Sequence, residues 1–173
     1  MRSTHNTVRA YGKSAITTLC MITGTAFIMA ACSTAKPPAK EYSQDKLVES
    51  IRVPAGNVVA LETTGVGVLN YECRPNVAAS GQMGWTLVSP KADLIDRTGK
   101  TIGTYSGPPA TWSHNDGSTV IGTQMAIAPT TGGNNIAIQL SRGASGMNAG
   151  AMQGVTYIQR INTKGGQDLS KAC

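Results

Sequence analysis

From Val53 onward the chain alternates between short runs rich in Val, Ile, Thr and Tyr and clusters of Gly, Pro, Asn and Asp at close intervals. β-branched and aromatic residues suit a pleated, half-buried surface, and the residues between them supply the conformations that reverse a strand. No amphipathic helix of ordinary length can be drawn through this region. The pattern predicts an all-β domain of about eight strands, either a single β-sandwich or a partly closed β-barrel.

Strands are expected over residues 57–63, 66–73, 85–89, 92–96, 101–105, 110–113, 119–127, 134–140 and 155–163. Asp96-Arg97-Thr98-Gly99 is a polar turn with glycine in fourth place, and Asn115-Asp116-Gly117 ends in a pair that favours a type I′ hairpin turn. Residues 142–151 are rich in small side chains and are expected to form a loop. On the second strand Leu69, Tyr71 and Cys73 share one face, which points the Cys73 thiol toward the core. The only phenylalanine, Phe27, lies upstream, so the core must be aliphatic with Trp85, Trp112 and some of the tyrosines.

The N-terminal region has a different grammar. Arg2, Arg9 and Lys13 stand without an acidic residue, a mostly apolar stretch runs over 15–28, and Met29-Ala30-Ala31-Cys32 follows. This is the layout of an export signal over residues 1–31. Its last four residues resemble the lipobox of bacterial lipoproteins, whose cysteine thiol receives a diacylglyceryl group and becomes the first mature residue. Residues 15–31 fall short of the roughly 20 apolar residues of a spanning helix, and Thr17, Thr18, Thr23, Gly24 and Thr25 dilute them. The expectation is a protein held on a membrane by a lipid at Cys32. Residues 32–52, with Pro37, Pro38 and mixed charges, compose a flexible lipidated tether, and residues 53–173 the β domain. Ser33 resembles the second mature residue of outer-membrane lipoproteins, so the expected location is the cell envelope, on an outer membrane facing the periplasm or the cell surface.

Removing 31 of the 173 residues leaves 142, enough for one domain. The formal charge of +6 shrinks as well, because three basic residues leave with the signal and 12 remain against 9 acids. Those that remain are scattered, which excludes the basic footprint of a nucleic-acid binder. Of the 4 cysteines, Cys20 lies in the signal and Cys32 carries the lipid, so Cys73 and Cys173 are expected to pair in an oxidising compartment. Closing a loop of about 100 residues stabilises by up to about 4.7 kcal/mol in the chain-entropy treatment.

Catalytic and metal chemistry find little support. His114 is the only histidine after residue 31, and no Asp-rich calcium loop is present, so neither a metal nor a cofactor is expected. The segment from Trp112 to Ser118 gathers hydroxyl, imidazole and carboxylate, yet neighbours on a tight turn splay apart, whereas triad members converge from separate parts of a chain. No catalytic residue is assigned. Tyr105, Trp112, His114, Asn115 and Asp116 are instead candidates for a binding loop beside Gly107-Pro108-Pro109. The expected role is binding or structural, toward an envelope protein or glycan. The alternative is a hydrolase of envelope polysaccharide using Asp93, Asp96 or Asp116 as its acids.

The ordered landmarks Gly65-Val66-Gly67-Val68-Leu69-Asn70-Tyr71-Glu72-Cys73, Trp85, Gly107-Pro108 followed by Trp112, Asp116-Gly117-Ser118, and the run from Tyr157 to Gly166 with Cys173 resemble the secreted family catalogued as domain of unknown function 3455. The resemblance implies an extracytoplasmic all-β domain with paired cysteines and brings no activity with it. Thr104 stands where the family often has histidine, and Ile136 to Leu140 lack a tryptophan the family often carries there.

Overall fold

A computed structural model describes residues 4–13, 42–75, 81–146, 148–167 and 172–173. Cys32, residues 14–31 of the expected signal and residues 32–41 of the expected tether lie outside the described residues. The strands are β1 (Thr4–Lys13), β2 (Asn57–Pro75), β3 (Met83–Ile95), β4 (Thr101–Ser106), β5 (Thr111–His114), β6 (Thr119–Ala128), β7 (Ile138–Ser145) and β8 (Val155–Lys164). They form a closed barrel in chain order, each strand antiparallel to its neighbours, with β8 returning to β1. Of the two architectures the sequence allows, the barrel is the one formed, and it leaves no free edge in the ring.

Residues 4–13, the basic lead of the expected signal, form β1. The local sequence permits this because Val8 and Ala10 alternate with Arg9, and the first two are buried inside the barrel. Arg9 faces outward, where its Nε lies 2.8 Å from Glu62 Oε2 and its guanidinium carbon sits 3.3 Å from the centroid of the Tyr42 ring. Residues that the sequence suggests as two strands on either side of Gly65 are one long strand, β2, and those on either side of Pro90 are likewise one strand, β3. Pro90 is tolerated because β4 reaches only to the pair Lys91 and Ser106, so β3 before that point has a neighbour on one side alone. Residues 69–75 and 83–90 therefore form a two-stranded ribbon running past the ring.

Strand β7 is displaced from its expected position. It begins at Ile138 and runs through Arg142-Gly143-Ala144, which the sequence suggests as loop, pairing there with Ile121 to Thr123 of β6. Small residues form a strand here because the neighbours come close: a β-carbon on Gly143 would lie 2.8 Å from the Val155 carbonyl oxygen.

Apolar packing occupies both sides of the wall. Inside are Val8, Ala10, Leu94, Trp112, Val120, Val155 and Ile158, capped at one end by Met152. Outside, the described part of the spacer does not trail away. From Tyr42 to Val53 it lies against the barrel, where a single 3-10 turn at Glu49–Ile51 packs over β6 and β7. Ile51 is 0% exposed and Val53 4%, packed with Tyr11, Leu140, Tyr157 and Ile161. Gln159, buried in the wall beneath this strap, donates to the Ile51 carbonyl at 2.7 Å and accepts from the Tyr11 hydroxyl at 3.0 Å.

Candidate functional site

The two ends of the barrel differ in chemistry. One end carries the turns at 96–100 and 115–118 and the loop 148–154, and its polar groups are spent on one another. Asp116 accepts from the Ser118 amide at 2.8 Å, the Ser118 hydroxyl at 2.6 Å and the Ala151 amide at 2.8 Å. These bonds hold its carboxyl far below the usual carboxylate range, the Ser118 hydroxyl and Ala151 amide contributing most. His114 Nδ1 lies 3.0 Å from Asp116 Oδ2. The carboxylate thus stands between hydroxyl and imidazole, the wrong order for a triad, in which the imidazole must reach the hydroxyl. The Asn115 side chain donates to the Thr101 carbonyl at 3.0 Å. Asp96 likewise accepts from the Thr98 hydroxyl and from the Thr98 and Lys100 amides, which lower its pKa.

The other end opens into the barrel. Between the ribbon, the β4–β5 hairpin and residue 136 lies a cavity of about 420 Å³ counting its mouth, lined by Val8, Gly65, Val68, Leu69, Pro90, Ala92, Leu94, Tyr105, Trp112, Ile136 and Arg160. Tyr105 and Trp112 face each other across the β4–β5 hairpin and stack with ring centroids 4.6 Å apart. Trp112 is only 6% exposed, and its indole N–H is buried with no partner among the described residues. Burial raises the Tyr105 pKa, with the nearby Arg160 cation opposing.

Arg160 is the charged member of this lining. Its Nε and Nη2 both donate to the Ala137 carbonyl, at 3.2 and 2.9 Å, and no carboxylate among the described residues pairs with it. Burial lowers its pKa, opposed by the nearby Tyr105 and Tyr71 phenols. The sequence reading did not single out Arg160. The signal was present, since Ile158 and Arg160 fall on the opposite face of β8 from Tyr157, Gln159 and Ile161.

The five residues expected to form one binding loop are therefore divided. Tyr105 and Trp112 meet inside the barrel, while His114, Asn115 and Asp116 build the turn at the opposite end. None of Asp93, Asp96 and Asp116 lines the cavity. Among the described residues no group of three or more His, Cys, Asp or Glu is placed to hold a metal.

Cys73 and Cys173 are joined, with Cα atoms 5.3 Å apart across a sequence separation of 100. The bridge lies on the exposed ribbon, so Cys73 does not face the core as the strand alternation suggests. It ties the ribbon to the C-terminus, and the Tyr71 hydroxyl adds a 3.1 Å bond to the Gly166 carbonyl. Ribbon and C-terminal segment are in this way fastened together beside the mouth.

No curated protein and no solved structure gives a match. A family model described as protein of unknown function (DUF3455) matches residues 54–173, which hold β2 to β8, both bridged cysteines and every cavity residue except Val8. By that match over most of its length, the chain belongs to the DUF3455 family.

Proposed function

We propose that this chain is a lipid-anchored protein of the bacterial cell envelope whose barrel serves as a binding module. The anchor rests on the sequence: a basic lead, an apolar stretch and Met29-Ala30-Ala31-Cys32. The diacylglyceryl group on Cys32 holds the protein on the membrane, and Ser33 directs it to an outer membrane. A disulfide between Cys73 and Cys173 agrees with an oxidising compartment. The single observation that carries the binding role is the cavity, where a stacked Tyr105–Trp112 pair, an unpartnered indole N–H and Arg160 gather within an apolar lining.

Cleavage before Cys32 removes β1 along with the signal. What remains contains the whole DUF3455 segment and all but one of the cavity residues. The test is to express the full chain and its Cys32→Ser variant in a bacterial host with labelled fatty acid. The expected result is label on the wild type, found in the outer-membrane fraction, and an unlabelled, uncleaved variant. Label on the variant overturns the anchor.

A further inference from the structure

The cavity is unusual in the sign of its polar groups. Its lining holds a guanidinium with five N–H donors, of which the Ala137 carbonyl engages two, and an indole N–H that engages none. No acidic side chain is present in the lining. A buried donor such as the indole N–H is almost always satisfied, by protein, water or ligand, and the half-buried Arg160 cation, drawn partly out of water, gains from a counter-charge. The remaining wall is hydrocarbon: Leu69, Pro90, Leu94 and Ile136 among others. A neutral apolar molecule would satisfy the wall and leave the cation alone, and a hydrophilic anion would do the reverse.

We infer that the barrel cavity binds a small apolar molecule bearing one carboxylate, the carboxylate at Arg160 and the hydrocarbon along Leu69, Pro90 and Ile136. This rests on the binding role proposed above and names the ligand class for it. The cavity is narrow, its volume of about 420 Å³ including the open mouth. The size selects a short or slender acid over a large ring system.

The experiment titrates the full chain with octanoate and, separately, with octan-1-ol, following tryptophan fluorescence and heat. A charge-assisted hydrogen bond in this setting corresponds to at least about tenfold tighter binding of the acid. In the Arg160→Met variant that preference is expected to vanish while binding of the alcohol persists. Equal affinity of the wild type for acid and alcohol overturns the carboxylate assignment and leaves the cavity a binding site. Binding of neither overturns both the assignment and the binding role. The wild-type comparison decides the matter even if Arg160→Met fails to fold, and a folded Arg160→Met that keeps the preference also overturns the assignment.

Discussion

Gly122 lies against Trp112 so closely that a β-carbon there would come within 2.5 Å of indole Cζ3. The tryptophan fills the barrel because the neighbouring strand β6 withholds a side chain. Gly122→Ala is therefore expected to destabilise by about 1–3 kcal/mol through overpacking. It should also disturb the stacked Tyr105 ring, which near-ultraviolet circular dichroism and a denaturant melt would register together.

Trp112→Phe separates two roles of the same residue. It removes the unpartnered N–H and some ring volume, whereas Trp112→Ala empties the site at a cost of about 3–5 kcal/mol. Phenylalanine at this position is expected to cost less than half as much as alanine, because the lost contact area is partly offset by removing a buried donor with no partner. Chemical denaturation of the two variants side by side measures the difference.

Reducing the Cys73–Cys173 bridge is expected to lower the thermal midpoint and to free the ribbon first. Its long loop places the stabilisation at up to about 4.7 kcal/mol. Hydrogen exchange should accelerate over residues 69–75 and 83–90 more than over β6 or β8. Equal acceleration everywhere would contradict a bridge that acts on the ribbon.

Asp116 makes stability dependent on acid. Its folded pKa is depressed, so the stabilisation it contributes is complete above the unfolded carboxylate value of about 4 and disappears as pH falls through the folded value. The thermal midpoint of the wild type should drop on acidification below about pH 4. Asp116→Asn should begin lower at neutral pH and fall less over the same range. Loosening of the 150–152 loop, which Asp116 holds through the Ala151 amide, would accompany the loss.

Ile51→Ala tests the strap on the outside of the barrel. Fully buried there, Ile51 is expected to cost about 2–5 kcal/mol on truncation. Limited proteolysis should then cut between residues 42 and 53 faster than in the wild type.

The fold class was legible because strand patterning needs only alternation and turn residues, both of which survive in the sequence. Pro90 and the glycines around Val66 read as interruptions, yet a neighbour missing on one side and a close approach of chains absorb them. A β-carbon on Gly67 would clash with the backbone of Lys91 and Ala92, so that glycine marks contact between strands rather than their end. The candidate site was half legible. Tyr105 and Trp112 flank Gly107-Pro108-Pro109 at positions that a hairpin sets opposite each other, but only closure of the ring decides that both rings point inward. His114, Asn115 and Asp116 attracted notice for their chemistry and serve a turn. Arg160 is not legible, because a single cation in a strand carries no motif. Its meaning comes from five other strands that line the same cavity without supplying an acid.

Strand β1 closes the ring by pairing Val8 with Thr63 on one side and Arg160 on the other, so the final seam joins the two extremes of the chain. Contacts so distant in sequence form only after the intervening chain exists. Synthesis delivers residues 4–13 first and their partner last. If those ten residues act instead as the leader proposed above, the ring is left with β2 and β8 as two facing edges. The same short segment cannot be both a leader and a stave, so the pairing of Val8 with Arg160 marks which of the two it has become.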